Sequence, residues 1–437
     1  MKKKTISILI ILFIIAGGYA LSIGNSTHLT KMRGILYQSG HLCMDSAKTD
    51  CNILCETNRI FAFAGDQLNY AIKCTQKAKQ RSGDKSLVAP YSINKDGSLK
   101  LVGPYDWCSG FFPGSLWQMY AYTHSKYWRE EAVKYTCPLE KVKWYKSTHD
   151  LGFMLYCSFG QAYRLTKVQS YKEVLIQAAK SLSSRYSPKV KAIRSWDWNR
   201  DIWQYPVIID NMLNLELLFW ASEATGDSLY YNIAVNHANT TLKNHFRSDC
   251  SSYHVVDYDT ITGNARFKGT HQGYSDASVW SRGQAWGLYG FTMCYRFTKN
   301  PAYLNQAEKI ADFIFSQPNL PADLIPYWDM KDPGIPNVPK DASAAAVTAS
   351  ALYELSAYAA HGKSVRYRHW ADTILENLSK HYQASPGTNQ GFLLLHSTAN
   401  RPKNSQVDVP LSYADYYYLE ALIRRSKLLQ EGFEKEK

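Results

Sequence analysis

The sequence predicts an all-α protein folded as one (α/α)6 barrel, a closed ring of helical hairpins. Amphipathic helical patterns recur from about residue 56 to the end of the 437-residue chain, whereas strand patterns are sparse. A polar turn followed by Tyr also recurs between successive helical patterns, as a helical hairpin requires. The turn occurs at 123–127, 166–171, 225–230 and 298–303 and, more loosely, at 361–367.

These turns are unevenly spaced along the chain, and long Trp- and Gly-rich stretches separate the hairpins. Both features argue against a uniform open solenoid, whose repeats have a fixed length. With one further hairpin at each end, the pairs number about six or seven, which fits a closed barrel. We therefore expect residues 23–437 to form a single barrel domain that begins with a Cys-rich segment.

The amino terminus has the pattern of a cleaved export signal. Lys2, Lys3 and Lys4 precede an apolar run at 6–15, and small residues follow as far as Ser22. The apolar run is short for a membrane-spanning helix. We expect residues 1–22 to be a signal peptide, the protein to be exported to the periplasm, and no stable membrane insertion after the signal is removed.

The chain contains nine Cys, an odd number, so at least one thiol is free or pairs between chains. An exported protein could form disulfides among the cysteines near its start, Cys43, Cys51, Cys55 and Cys74. Cys157 and Cys294 lie in apolar helical patterns and are predicted to be small buried hydrophobic residues. The connectivity stays open.

Two long segments are predicted to be loops. The first, about 249–276, includes a short strand and turn pattern at 253–264. The second, 318–341, carries six Pro around Trp328 and is expected to form a rim over an opening. Ordered loops of this length inside a compact domain are usually functional.

Asp210 is an acid in one of the most apolar parts of the chain, 205–220. A carboxyl group in such surroundings loses hydration, which raises its pKa and suits it to general acid/base chemistry. The alternative is a helix cap just after Pro206, a position that Asp favours.

Asp150 and His149 precede a second apolar helical pattern. A helix cap is again the alternative for Asp150. Because Ser147 and Thr148 already offer capping side chains, Asp150 is free to point into a cavity. The sequence thus supplies two candidate acids for one site.

Several aromatic and polar residues could contact a ligand. Trp107 and Trp196 lie in polar, turn-rich sequence, where a Trp faces a ligand more often than in a helix core, although burial is the alternative. The segment 270–273 offers hydrogen-bonding groups that suit a sugar. Arg282 and Trp286 are four residues apart on one predicted helix and could clamp a planar carboxylated ring. The alternative for this pair is an internal salt bridge beside a packed Trp.

The sequence lacks the motifs of several other enzyme classes. The chain has no nucleophile elbow, dinucleotide fingerprint or phosphate loop. It also lacks a zinc-binding H-E-x-x-H pair, so His254 and His271 are interpreted as hydrogen-bond donors, and we expect neither a metal nor a cofactor. The net charge of +13 favours anionic partners, but without a dense Lys/Arg run we expect no nucleic acid. An acidic polysaccharide fragment fits better.

From about residue 106 to 422 the chain resembles the unsaturated glucuronyl hydrolases, glycoside hydrolase family 88. The resemblance rests on the shared order of short motifs, each weak alone. They are Trp107-Cys-Ser-Gly-Phe111, His149-Asp-Leu-Gly-Phe153, Ile208-Ile-Asp-Asn211, Ser251-Ser-Tyr-His254, Thr270-His-Gln-Gly273, Ser281-Arg-Gly-Gln-Ala-Trp-Gly287, Asp341-Ala-Ser-Ala-Ala345 and Asp415-Tyr-Tyr-Tyr-Leu-Glu-Ala421.

The resemblance implies an (α/α)6 barrel and a particular reaction. Polysaccharide lyases leave a terminal uronic acid with a C4=C5 double bond, and members of this family hydrate that bond. In the family mechanism, the residue matching Asp210 protonates C4 and activates the water that adds to C5. The residue matching Asp150 is expected to bind ring hydroxyls and to hold Asp210 at a useful pKa. The substrate would be an unsaturated uronyl oligosaccharide from an acidic, glycosaminoglycan-type glycan.

The resemblance also implies the substrate contacts. Trp107, Trp196 and Trp286 match the family's aromatic positions. The polar contacts are expected to be His149, His254, Thr270, Gln272 and Arg282, with Arg282 facing the uronate carboxylate. Two alternatives stay open, a hydrolase of unsaturated rhamnogalacturonyl fragments and a non-catalytic glycan-binding protein on the same barrel. The linkage, the sulfation preference and the oligomeric state are unknown from sequence.

Overall fold

The structure is a computed structural model that describes residues 26–435, with side chains for 53–430. The predicted signal peptide lies outside the described residues. The chain divides into two compact units, Met1–Asn58 and Arg59–Lys437. Helix α1 (Ser26–Ser82) accounts for the described part of the first unit, and its second half belongs to the other unit. Within the described residues, no helix combines the length and apolarity needed to cross a membrane.

As far as residue 435, the last one described, eleven further α-helices follow in the second unit, most of them in antiparallel pairs. One inner helix begins as a π-helix (Gly152–Gly160), and two 3-10 helices lie at Cys137–Trp144 and Asn389–Gly391. The α-helices are α2 (Phe111–Thr123), α3 (Lys126–Thr136), α4 (Gln161–Thr166), α5 (Gln169–Ser183), α6 (Asn211–Thr225), α7 (Ser228–Asn244), α8 (Ser281–Thr298), α9 (Pro301–Phe315), α10 (Ala342–Ser356), α11 (His361–His381) and α12 (Ser412–Lys435).

The first helix of each pair, together with the last helix α12, belongs to an inner ring. In this ring α2, the π-helix, α6, α8, α10 and α12 each contact the next, and α12 closes the ring against α2. The inner helices are apolar on nearly every side: α8 is buried from Ser281 to Cys294, and only Glu354 of α10 escapes burial. A helix with this pattern belongs inside a large core. The predicted all-α barrel is confirmed, and Cys157 and Cys294 are buried in it, as expected.

The hairpin turns share one geometry. Helices α2, α4, α6 and α8 all end in Thr, and the hydroxyl of each Thr accepts a hydrogen bond from the backbone N–H two residues later, at 3.1–3.4 Å. The residue between has a left-handed backbone that ends the helix. These residues are His124, Lys167, Gly226 and Lys299.

Four predicted turns are therefore confirmed, and the fifth is misplaced. Helix α10 ends at Ser356 and α11 begins at His361, so the turn occupies 357–360. The predicted segment 361–367 lies inside α11, where Tyr367 is buried in the core. The turn lacks the Thr that marks the other four, so the sequence gives no local signal for the end of α10.

Seven short strands lie in the connections between hairpins. Strands β1 (Ala89–Ile93) and β2 (Leu99–Val102) pair, as do β3 (Tyr186–Ser187) and β4 (Ala192–Ile193). Strands β5 (Pro206–Ile208), β6 (Val255–Tyr258) and β7 (Ala265–Gly269) form an antiparallel sheet in which Ile208 faces Val255. The loop predicted at 249–276 thus holds two strands of this sheet. Among the residues whose side chains are described, Cys55 and Cys74 form no disulfide; the side chains of Cys43 and Cys51 lie outside that part of the chain.

A network of ion pairs links four of the inner helices, α6, α8, α10 and α12. Arg424 lies 2.8 Å from Glu354 and 3.8 Å from Glu420, and Arg296 lies 2.6 Å from Glu216 and 3.4 Å from Glu354. All five side chains are largely shielded from water.

Replacing Arg424 with Met is expected to lower the free energy of unfolding by about 3 kcal/mol, because Glu354 and Glu420 would lose a buried cationic partner. Urea denaturation followed by circular dichroism measures the change. Lys126→Met, which breaks an exposed pair with Glu130, is the matched control and should leave stability unchanged. Equal effects of the two substitutions would contradict a stabilising role for the network.

Candidate active site

A cavity of about 400 Å³ opens where the inner helices begin. Aromatic, acidic and hydrogen-bonding side chains share its wall. They are Tyr91, Trp107, Tyr145, Ser147, Thr148, His149, Asp150, Ser195, Trp196, Trp198, Ile208, Asp210, His271, Gln272, Arg282, Ala399, Asn400 and Ser405.

The starts of several inner helices border this cavity. Asp210 directly precedes α6, Asp150 lies two residues before the π-helix, and Arg282 is in the first turn of α8. Each hairpin returns the chain to the same side, so the inner helices begin together. Free backbone N–H groups at helix starts carry partial positive charge, which favours a bound anion. The ring itself therefore suits the cavity to an acidic ligand.

Asp210 occupies the cap position of α6, but its carboxylate makes no capping hydrogen bond. Its Oδ2 is buried without a hydrogen-bond partner. Burial raises the pKa of Asp210, His149 and Arg282 oppose the rise and Asp150 adds to it, and the net pKa is about 7. The alternative of a simple helix cap is not realised, and the carboxyl group is available for proton transfer at neutral pH.

The pKa of Asp150 is shifted in the opposite direction. Thr148 Oγ1 donates to Asp150 Oδ2 at 2.5 Å, and His149 Nε2 lies 3.1 Å from Asp150 Oδ1. Burial favours the neutral acid, but His149, Thr148 and Arg185 together bring the pKa of Asp150 below its usual value. The site therefore holds two carboxyl groups whose pKa values are driven apart, the arrangement that separates a proton donor from an ionised partner.

His254 has a defined tautomer. Its Nδ1 accepts hydrogen bonds from the backbone N–H groups of His271 and Gln272, both at 3.1 Å. Burial lowers the pKa of His254 well below its usual value, so the ring is neutral and its hydrogen must be on Nε2. Nε2 lies 3.6 Å from Asp210 Oδ2. His254 lies behind the cavity wall, where it faces the acid.

Arg282 lines the cavity, but internal bonds occupy its guanidinium group. Nη1 lies 2.6 Å from Asp341 Oδ2 and donates to the carbonyl of Thr398, and Nη2 donates to the carbonyl of Ala399 at 2.6 Å. The guanidinium also lies 4.6 Å from the ring centre of Trp280. The internal salt bridge, the alternative considered for Arg282, is therefore present. Its Nε has no partner.

Trp107 and Trp196 form aromatic walls of the cavity. Trp107 packs on Phe153 and Tyr413, and Trp196 stacks on Trp198 with ring centroids 4.5 Å apart. The predicted clamp between Arg282 and Trp286 is wrong. Trp286 is fully buried between Phe153 and Tyr417, because α8 is an inner helix whose whole circumference is covered.

The loop 270–273 contributes fewer side chains to the cavity wall than its motif predicts. Gln272 lines the cavity and donates to the carbonyl of Ala399 at 2.9 Å. Thr270 is absent from the cavity wall: its hydroxyl accepts a hydrogen bond from Gly273 N at 2.8 Å. Thr270 therefore shapes the turn that presents His271 and Gln272. Within the described residues, no group of three or more His, Cys, Asp or Glu side chains could hold a metal ion.

No protein-family model matches the chain. An unsaturated glucuronyl hydrolase of Formosa agariphila is 50% identical over 344 residues, which cover 78% of this chain and 84% of the relative. The chain belongs to the unsaturated glucuronyl hydrolase family. An unsaturated chondroitin disaccharide hydrolase of Streptococcus pneumoniae is 34% identical over 341 residues, 77% of this chain and 85% of that protein. A crystal structure of an unsaturated glucuronyl hydrolase specific for heparin aligns with a TM-score of 0.80 and 45% identity, covering 85% of this chain and 98% of the other.

Some residues of this unsaturated glucuronyl hydrolase site were missed from sequence. Trp198 could have been found, because Trp196 and Trp198 alternate on an extended segment and alternate residues share a side. Tyr91 on β1 and Asn400 in the connection before α12 also line the cavity. No local pattern marks either residue, since only the closed ring brings these distant segments together.

Proposed function

We propose that this protein removes the terminal 4,5-unsaturated uronic acid from lyase-generated glycosaminoglycan-type oligosaccharides by hydrating the C4=C5 bond. The observation that carries the proposal is the pair of buried carboxyl groups, Asp210 with a pKa of about 7 and Asp150 with a pKa below its usual value. Hydration of a vinyl ether needs a proton on C4 and a water at C5. One carboxyl group that changes between its two forms near neutrality can donate that proton and then accept a proton from the water.

Protonated Asp210 donates its proton to C4, and positive charge develops at C5, stabilised by the ring oxygen. The Asp210 carboxylate then takes a proton from the water that attacks C5. The resulting hemiketal opens to a ketone at C5, which leaves a hemiacetal at C1. That hemiacetal expels the neighbouring sugar, so one water has been added in total and Asp210 is again protonated.

The other residues hold the substrate and the acid. Ionised Asp150 accepts hydrogen bonds from ring hydroxyls, and Trp107 and Trp196 offer apolar faces to the sugar. The Nε2–H of His254 faces Asp210 and would support its carboxylate form when water attacks. The partial positive charge of the helix starts attracts the uronate carboxylate.

The reaction is expected to slow as the pH rises above about 7, because only protonated Asp210 can donate to C4. On the acid side, activity should persist to unusually low pH, since the pKa of Asp150 is held below its usual value. The decay of the unsaturated uronate absorbance, measured as kcat/KM at several pH values, gives the profile. Constant activity from pH 6 to pH 9 would contradict this role for Asp210.

A panel of unsaturated disaccharides from chondroitin, hyaluronan, heparin and pectin, with and without sulfate, tests the substrate class. We expect loss of absorbance with the glycosaminoglycan disaccharides. The relatives named for chondroitin and heparin support this class, as does Lys403, whose ammonium lies 5.4 Å from the ring centre of Trp198 at the cavity wall. Activity on pectin fragments alone would instead favour the rhamnogalacturonyl reaction, and binding without turnover would indicate a glycan-binding protein.

We also propose export to the periplasm with cleavage after Ala20 or Ser22. The basic start, apolar run and small residues of 1–22 support this proposal. Cell fractionation followed by amino-terminal sequencing of the purified protein tests it. A chain that retains Met1 in the cytoplasmic fraction would refute it.

A further inference from the structure

A second recess, of about 460 Å³, lies beside the 3-10 helix Cys137–Trp144. Its wall includes four residues that we call the Trp144 patch: Lys85, Lys141, Lys143 and Trp144. The side chain of Trp144 is 62% exposed, the largest value among the described tryptophans. An indole left in water forgoes the free energy of burial, and exposed apolar surface of this kind often marks an interaction site.

The patch combines aromatic faces with positive charge. The ammonium groups of Lys143 and Lys141 lie 6.0 Å and 5.9 Å from the ring centres of Trp144 and Tyr105. Glu140, the one acid that lines the recess, is paired with Lys143 at 2.7 Å. Three lysines against one acid leave an excess of positive charge beside a flat apolar ring. This arrangement is complementary to sugar rings that carry carboxylate or sulfate groups.

The Trp144 patch adjoins the catalytic cavity. The chain runs from Trp144 directly into Tyr145, Ser147 and Thr148, which line that cavity. The ring of Tyr105 lies 4.9 Å from that of Tyr145 in the cavity wall and 5.9 Å from the ammonium of Lys141 in the patch, so Tyr105 lies between the two. A chain molecule with one end in the cavity could therefore extend over the patch.

We propose that the Trp144 patch binds the more distant sugar units of an anionic glycan whose unsaturated end occupies the catalytic cavity. This inference rests on the proposed function and extends it: the enzyme would prefer long lyase products over disaccharides. A disaccharide fills the cavity alone, so the patch contributes nothing to its binding. A longer chain gains stacking on Trp144 and charge attraction from Lys141, which should lower KM more than it raises kcat.

The test compares a disaccharide with a hexasaccharide, both prepared by lyase digestion of heparin and of chondroitin sulfate. Trp144→Ala should raise KM for the hexasaccharide about fivefold and leave the disaccharide unaffected, since stacking on one ring contributes this much to binding. Lys141→Ser should weaken the salt dependence of the hexasaccharide KM. Trp144→Phe keeps an aromatic face and should restore most of the affinity. Lys126→Ser removes another exposed lysine, away from the patch, and is the charge control.

Equal losses with both substrates would overturn the proposal, because they would indicate a general effect on the fold or the cavity. A hexasaccharide KM that Trp144→Ala leaves unchanged would also overturn it, while the proposed function would stand. If neither substrate is turned over, the proposed function fails and the patch is tested alone. Calorimetric titration with the heparin hexasaccharide should then show at least threefold weaker binding to Trp144→Ala, and unchanged binding would refute the patch.

Discussion

Asp210→Asn is expected to lower kcat by about a thousandfold or more, within the range that general acid/base groups contribute. Asn has nearly the same shape as Asp, so the cavity and its walls should persist, but an amide can neither protonate C4 nor accept a proton from water. KM should change little, since the substrate contacts lie on Asp150 and the tryptophans. Progress curves of the unsaturated uronate absorbance measure both constants.

Asp210→Asn should also change how the free energy of unfolding depends on pH, which gives an independent test. Burial raises the pKa of Asp210 from 3.8 to about 7, so the folded protein binds this proton more tightly than the unfolded chain. The stabilising contribution is complete below pH 3.8 and is lost as the pH rises through about 7. Asp210→Asn should therefore be more stable than the wild type at pH 8, and this advantage should disappear near pH 4. Wild-type turnover by a folded Asn variant would refute the assigned role.

Asp341→Ala is expected to lower the free energy of unfolding by about 3–5 kcal/mol, the cost of leaving a buried cation without its partner. Arg282 and Asp341 are both almost fully buried and lie 2.6 Å apart. Asp341 also caps α10, where its carboxylate accepts hydrogen bonds from Ser343, and it accepts one from Thr398 N at 3.3 Å. The substitution therefore removes a charge partner, a helix cap and a loop anchor together.

Urea denaturation measures the loss in free energy of unfolding for Asp341→Ala and for Arg366→Ala, which is the control. Arg366 pairs with Asp312 at 2.7 Å, but both side chains are about half exposed, so that pair should contribute far less. The Arg282→Met, Asp341→Leu double variant should recover part of the lost stability, because it removes both buried charges. A loss no larger than that of Arg366→Ala would refute the importance of the buried pair.

The fold was predictable where its signals are local. Each Thr turn is set by a few consecutive residues whose hydroxyl and left-handed backbone act within one turn of helix, and four of them were placed correctly. The apolar surroundings of Asp210 also lie in its own segment, because β5 and α6 flank it directly. Local sequence therefore sufficed to predict a carboxyl group with a raised pKa.

The wrong or missed predictions concern residues whose surroundings are formed by distant segments of the chain. Trp286 shares a helix with Arg282, but α8 is covered on all sides by neighbouring inner helices and connections, which a single segment cannot reveal. The partner of Arg282 is Asp341, 59 residues further on, and the choice between an internal salt bridge and a free guanidinium depends on that contact. Tyr91 joins the cavity from a strand that precedes the inner helices altogether.

The connections between helices are strongly unequal at the two faces of the ring. On one face, between paired helices, they are only a few residues long, as at 124–125 and 299–300; on the other they span stretches such as 184–210 and 245–280. Insertions and substitutions in the long connections can thus alter ligand selectivity while the helix packing that supports them is left intact. The architecture separates the part of the chain that must stay constant from the part that can diversify.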